Sequence, residues 1–213
     1  MLYDLTHTLA SGMPHFPGDP QPRVEPWPGE PPWRVSELRL GSHSGTHIDA
    51  PRHYLAGGRC IGDYPPERFI RPGLVLDARG HADDQPIGAG LLDGLAIPAG
   101  SCVVLRTGWE RHWGDARYFR HPYLSGELAA ALVACGVELL AIDALNVDST
   151  PGGGSAAHEL LLGAEVLIVE NLRGLDALDH GRRYVFAFIP LALGHVDGAP
   201  VRALAWDEGH SFV

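Results

Sequence analysis

Lysine is absent from this sequence of 213 residues; all 16 basic residues are arginine. That excludes lysine Schiff-base chemistry and a phosphate-loop lysine. Positive charge is scarce altogether. The formal net charge is −10, which argues against a nucleic-acid or anionic-membrane partner, since either needs clustered cations. Cysteine is sparse too. Cys60, Cys102 and Cys135 stand far apart with no C-x-x-C pair, so they read as free thiols in a reducing compartment and not as a disulfide framework. No run approaches the ~20 apolar residues of a membrane span, and Met1-Leu2-Tyr3-Asp4 does not open like a basic, apolar signal sequence. The expectation is a cytoplasmic protein. A hydrophobic content of 45% is enough for a core, and the chain reads as one domain over 1–213 with no internal repeat or linker.

Strands dominate the coarse pattern. Leu2–Thr6, Arg34–Leu40, Leu74–Asp77, Cys102–Arg106, Leu139–Asp143, Val166–Val169, Val185–Ile189 and Val201–Trp206 carry strand signals. Between them, Pro65–Phe69 reads as a short helical turn. Ser125 caps a helix that Gly136 stops, and Ala156–Leu162 forms a second helix ended by Gly163. This is α/β or α+β organisation around a mixed sheet. From Gly12 to Trp33 prolines recur too densely for a helix. Phe16, Trp27 and Trp33 punctuate that arm, which predicts an ordered loop lying over a pocket or a neighbouring subunit.

The chemistry concentrates in His43-Ser44-Gly45-Thr46-His47-Ile48-Asp49-Ala50-Pro51-Arg52-His53. Three imidazoles and a carboxylate so close together supply the nitrogen and oxygen donors of a divalent-metal site. A helix would put Asp49 on the face away from His43 and His47, and Gly45 and Pro51 oppose one. A straight strand would hold His43 and His47 about 13 Å apart, at about 3.3 Å per residue, too far for one ion with bonds of about 2 Å. The segment is therefore predicted to bend, with Ser44-Gly45 turning, Gly45 leaving room for the ion, and His47 and Asp49 converging from a short extended piece. Two further donors stand out. Glu170 ends the buried run Val166–Val169, where a charge needs partners, and His158 lies in the short helix before it. Taken alone, Glu170 is equally an ordinary strand-end acid, and His158 reads first as a helix-surface histidine.

The pattern His43-x3-His47-x-Asp49-x3-His53 resembles the signature of the metal-dependent cyclase-family hydrolases, which include the bacterial kynurenine formamidases (arylformamidases). A second segment, His158 followed twelve residues later by Glu170-Asn171-Leu172, is similar to that family's second signature. Phe16-Pro17-Gly18-Asp19, Arg106-Thr107-Gly108-Trp109, Ala141-Ile142-Asp143 with Val147-Asp148, and Asp197-Gly198-Ala199-Pro200-Val201-Arg202 also match, in order along the chain. The resemblance implies a single α/β domain with a mixed β-sheet or partly closed barrel and a few flanking helices, a swivelling β/β/α-like fold. It implies two metal ions per subunit, and assembly as a homodimer or larger homo-oligomer. His43, His47 and Asp49 would hold the first ion. Asp49 would bridge to the second, which His158 would also bind, and Glu170 would contact both. His53 would be a proton shuttle. Mixed His/carboxylate ligands suit Zn²⁺, and Mn²⁺ is the alternative.

Hydrolysis of a small-molecule, non-peptide C–N amide bond by activated water follows, with Phe16, Trp109 and Tyr54 as candidate pocket walls. Trp109 is equally a core residue on its own chemistry. Kynurenine formamidases typically carry Trp where Phe16 stands, so the substrate alternatives are an aryl formamide and a cyclic amide or lactone. A reading from another class is a metal-stapled protein without turnover. His53 opposes it, because a purely structural site has no use for an extra imidazole. The other histidines, His7, His15, His81, His112, His121, His180, His195 and His210, lack partners at ligand spacing and are expected to be structural or exposed.

Overall fold

The computed structural model describes residues 1–210. Twelve strands run in chain order: β1 Leu2–Asp4, β2 Arg23–Trp27, β3 Val35–Arg39, β4 His47–Asp49, β5 Ile70–Asp77, β6 Pro86–Ile87, β7 Cys102–Arg106, β8 Tyr123–Leu124, β9 Leu139–Ile142, β10 Leu167–Glu170, β11 Arg183–Pro190 and β12 Gly198–Asp207. Two α-helices lie among them, α1 Gly126–Ala134 and α2 Ala156–Gly163. The main sheet has the order β1-β12-β11-β5-β7-β9-β10-β4, and β4 also pairs with β12. Seven strands thereby close into a barrel, with β1 appended to β12. The expected mixed sheet is present: β5, β7, β9 and β10 run parallel, and the remaining pairings are antiparallel.

The parallel strands are apolar runs because both their faces are covered. Alternation sorts their side chains. Val75, Cys102, Val104, Leu139, Ala141, Leu167 and Val169 fill the barrel interior with Phe186 and Phe188. Leu76, Val103, Leu105, Leu140, Ile142 and Ile168 point outward, under α1 and α2. Helix α1 starts where expected: the Ser125 hydroxyl accepts from the Leu128 amide. Helix α2 is capped from a distance. Its Ala157 and His158 amides donate to the Asp148 carboxylate, which ties the helix start to the loop after β9.

The proline-rich arm departs from the expected loop. Its middle forms β2, paired with β3 in a separate two-stranded sheet in which Pro26 lies opposite Ser36. Each strand has a free edge, so a proline without an N–H is tolerated there. The hairpin leaves Trp27, Trp33, Val35 and Leu38 exposed, Trp33 by 77%. No described helix is long and apolar enough to cross a membrane.

Candidate metal centre

Strand pairing brings the two histidine-bearing segments together. In the antiparallel register of β4 and β10, His47 lies opposite Glu170 and Asp49 opposite Ile168. Ile48 and Val169 belong to the barrel interior. By alternation, His47, Asp49 and Glu170 share the outer face, on which α2 packs and presents His158. A turn before β4 carries His43, and a single 3₁₀ turn after it, Pro51–His53, carries His53. The predicted bend is there, with one correction. Gly45 has φ +66°, and a Cβ on it would meet the Leu9 side chain at 2.6 Å. Its lack of a side chain makes room for Leu9 and not for an ion. Its carbonyl faces the His47 Nδ1 at 2.8 Å and also accepts from the Asn171 amide.

The geometry around Asp49 and Glu170 is that of two carboxylates shared among imidazoles, three at Asp49 and two at Glu170. Asp49 Oδ1 lies 2.7 Å from His43 Nδ1 and 3.3 Å from His47 Nε2, while Oδ2 faces His158 Nε2 at 3.6 Å. Glu170 Oε2 lies 3.5 Å from His47 Nε2 and Oε1 lies 3.5 Å from His158 Nε2. These last separations are too long for good hydrogen bonds. They match ligand-to-ligand spacings around a tetrahedral ion, which are about 3.3 Å for bonds of about 2 Å. Asp49 Oδ2 is buried with no hydrogen-bond partner, a costly condition unless a cation sits against it. The residues present therefore fit divalent metal. Two donor triads lie within 4.8 Å mutual reach: His47, Asp49 and Glu170, and His43, Asp49 and His53.

Outer partners fix which nitrogen each imidazole turns inward, as expected of metal-binding histidines. His47 Nδ1 is held by the Gly45 carbonyl, His158 Nδ1 by Asp148 at 2.8 Å, and His43 Nε2 by Asp197 at 2.9 Å. Asn171 supports this frame. It adopts φ 59°, a left-handed conformation that asparagine tolerates, and accepts from the Tyr118 hydroxyl at 2.7 Å. Asp148, Asn171 and Asp197 lie in segments that matched the family, but their supporting roles, and that of Tyr118, come only from the closing of the barrel.

Burial opposes ionisation of Asp49, yet the His43 and His47 charges hold its carboxyl well below the usual range. Burial also opposes charge on His43, but Asp49 and the Asp197 hydrogen bond outweigh it and raise the imidazole to about 10. His158 is likewise raised, with burial overcome by the hydrogen bond to Asp148 and the facing Asp49 and Glu170 carboxylates. His53 moves the other way: burial, assisted by the His43 and His158 charges, lowers it. The Asp49 and Glu170 charges oppose that shift.

A cavity of about 150 Å³ opens onto this cluster, lined among others by Phe16, Tyr54, Leu145 and Asn146. Larger grooves exist elsewhere on the barrel, but among the described residues three or more acids and imidazoles come within 4.8 Å of one another only at this cluster. Phe16 and Tyr54 are thus where a pocket wall was expected. Trp109 is not. It is 1% exposed in the layer between barrel and helices, with its indole N–H donating to the Arg117 carbonyl. The 3₁₀ turn that follows Gly108 buries it as a core residue. His121 is structural as well, with Pro122 and Thr150 occupying its two nitrogens.

Comparison with known proteins places these features in company. The sequence profile of the family described as "Putative cyclase" matches residues 3–149. Kynurenine formamidase from Bordetella avium (strain 197N) is 32% identical over 98% of this chain and 99% of its own. The enzyme of the same name from Maricaulis maris (strain MCS10) is 31% identical over 95% and 96%. Among solved structures, isatin hydrolase A from Labrenzia aggregata superposes with a TM-score of 0.86 at 27% identity, covering 96% of this chain and 93% of that one. A predicted metal-dependent hydrolase from Bacillus stearothermophilus superposes at 0.80 with 30% identity, covering 96% and 97%.

Proposed function

The chain belongs to the cyclase family, and on that premise we propose that it is a metal-dependent hydrolase of non-peptide C–N amide bonds in small molecules. The observation that carries the reading is the shared Asp49 carboxylate, one oxygen facing His43 and His47 and the other facing His158. Such a bridge suits two divalent ions: His43, His47 and Asp49 would hold one, His158 and Asp49 the other, and Glu170 would touch both. Zn²⁺ fits this donor set, with Mn²⁺ the alternative.

When bound, the metal pair supplies acidified water and a Lewis acid for the substrate carbonyl. The protein's own residues do the rest. His53, beside the cluster, takes a proton from the attacking water and returns it to the departing nitrogen. Asp148, Asp197 and the Gly45 carbonyl keep the ligand imidazoles turned inward. Phe16 and Tyr54 flank the small cavity and suit a flat aryl group next to the scissile bond.

The leading substrate class is an aryl formamide, as the names of the sequence relatives indicate. The isatin hydrolase likeness favours a cyclic aryl amide as the second. A panel of N-formylkynurenine, formylanilides, isatin, hydantoins and lactones, assayed on Zn²⁺- and Mn²⁺-loaded protein, separates them. Turnover of formylanilides with none of the cyclic substrates supports the first class, and the reverse supports the second. No turnover of any after metal loading would sink the enzymatic reading in favour of a metal-stapled protein.

Residues 1–213 act as one domain in this reading. The three free cysteines fit a cytoplasmic setting. The exposed apolar hairpin β2–β3 fits a homodimer or larger homo-oligomer, in which the arm carrying Phe16 reaches toward a neighbouring subunit. A monomer by light scattering rejects that assembly.

A further inference from the structure

The acids of the centre are not equivalent. Asp49 and Glu170 are enclosed, whereas the Asp197 side chain is 37% exposed. Yet Asp197 reaches the cluster with a single oxygen. Its Oδ2 lies 2.9 Å from His43 Nε2 and 3.4 Å from His53 Nδ1. The two rings lie side by side, with centroids 3.9 Å apart and planes tilted by 32°. One carboxylate oxygen therefore spans an inward-turned imidazole and the imidazole assigned to proton transfer.

Its placement is built into the barrel closure. Asp197 immediately precedes β12, its carbonyl accepts from the Ala50 amide at 2.8 Å, and Gly198 lies opposite Asp49 in the β4–β12 register. A Cβ at position 198 would meet the Ile48 carbonyl at 2.7 Å and the His43 ring at 2.9 Å. Only glycine lets the chain pass this close, and that passage sets the Asp197 carboxylate over both rings.

We propose that Asp197 is a positioning residue that fixes the tautomer and orientation of His53 while bracing the ligand His43. A carboxylate 3.4 Å from Nδ1 favours the proton on that nitrogen and leaves the Nε2 lone pair free. That is the form His53 needs to accept a proton. The same oxygen holds the outer N–H of His43, so the ligand and the shuttle share one anchor. This inference rests on the metal-dependent reading above and on His53 as the shuttle.

The test compares zinc-loaded wild-type protein with Asp197→Asn, Asp197→Glu and His53→Ala. The readouts are imidazole ¹⁵N NMR, zinc affinity by chelator competition, melting temperature, and kinetics on whichever panel substrate turns over. In wild type, the His53 signals should show protonated Nδ1 and bare Nε2. Asp197→Asn is near-isosteric but carries an amide that can donate. It should shift His53 toward the Nε2–H tautomer and lower kcat by about 10–100-fold with KM within about twofold. Asp197→Glu, which restores a carboxylate at a half-exposed position, should recover part of both. An unchanged His53 tautomer and unchanged kcat in Asp197→Asn overturn the inference. So does a fall in melting temperature alone, because Asp197 would then only brace the β4–β12 junction. Full activity of His53→Ala would instead overturn the shuttle reading beneath it, so the two failures are told apart.

Discussion

Two fully buried carboxylates at strand ends, Asp143 after β9 and Asp49 in β4, have the same chemistry and opposite fates. Asp143 is tied off. Its Oδ1 accepts from the Thr107 amide and hydroxyl, and its Oδ2 accepts from the Gly108 amide. Burial still pushes its carboxyl up to about 6, but no imidazole approaches it and each oxygen has a donor. Asp49 has the reverse arrangement: three histidines around it and one oxygen with no donor at all. An acid whose oxygens are all satisfied by backbone and hydroxyl donors holds a loop. An acid left partly unsatisfied among imidazoles asks for a cation. Burial alone does not separate the two; hydrogen-bond accounting does.

The largest effect that sharpens this contrast belongs to Asp49. Asp49→Ala should release metal, seen by elemental analysis after dialysis. It should lower kcat/KM by more than roughly 10³-fold, about 4 kcal/mol of transition-state stabilisation. Full metal occupancy in that variant would break the comparison outright. His53→Ala comes next. It should keep its metal yet lose about 10²–10⁴-fold in kcat, the range of one general acid–base group.

His7 gives a third test, because it is also buried with a nitrogen, Nε2, that lacks a partner, but it has no acid beside it. Burial, with the Arg173 charge, lowers it to about 4. Above pH 6.5 it is neutral both folded and unfolded. Between pH 6.5 and about 4 the unfolded chain binds more protons, so stability falls as pH drops, by about 3 kcal/mol in total at about 1.36 kcal/mol per pKa unit. His7→Leu should flatten the acid limb of the melting-temperature profile in that window without touching metal content. An unaltered slope would show that His7 is not the buried neutral base described. The smallest effect is expected from Asp143→Asn. Replacing one acceptor oxygen by an amide leaves a buried donor unpaired, about 1–3 kcal/mol of stability, visible in urea midpoints. Metal stoichiometry should stay at the wild-type value. A loss of metal there would erase the distinction between the two acids.

Much of this was legible before any tertiary structure. Val103–Leu105, Leu139–Ile142 and Leu167–Val169 read as buried strands because parallel strands covered on both faces leave no polar alternation. His43, His47, Asp49 and His53 declared themselves by density, because donors for one ion must be close and a short local segment can supply several. Trp109 misled because an aromatic residue beside a glycine is equally a pocket wall or a core plug, and only the position of its 3₁₀ turn decides. The strand pairing of β2 was hidden by its prolines, which exclude a helix but not an edge strand.

The sequence by itself pointed to the His43–His53 donors and the bend that gathers them, since both depend on residue type and on spacing within a few positions, whereas His158 and Glu170 entered as ligands only through the family resemblance. Tertiary structure alone decided that Glu170 stands opposite His47, that Asp148 turns His158 inward, and that Asp197 lies across His43 and His53. Those meetings depend on barrel closure and strand register, which are set by the packing of the whole core and are not encoded near any one of the residues they join.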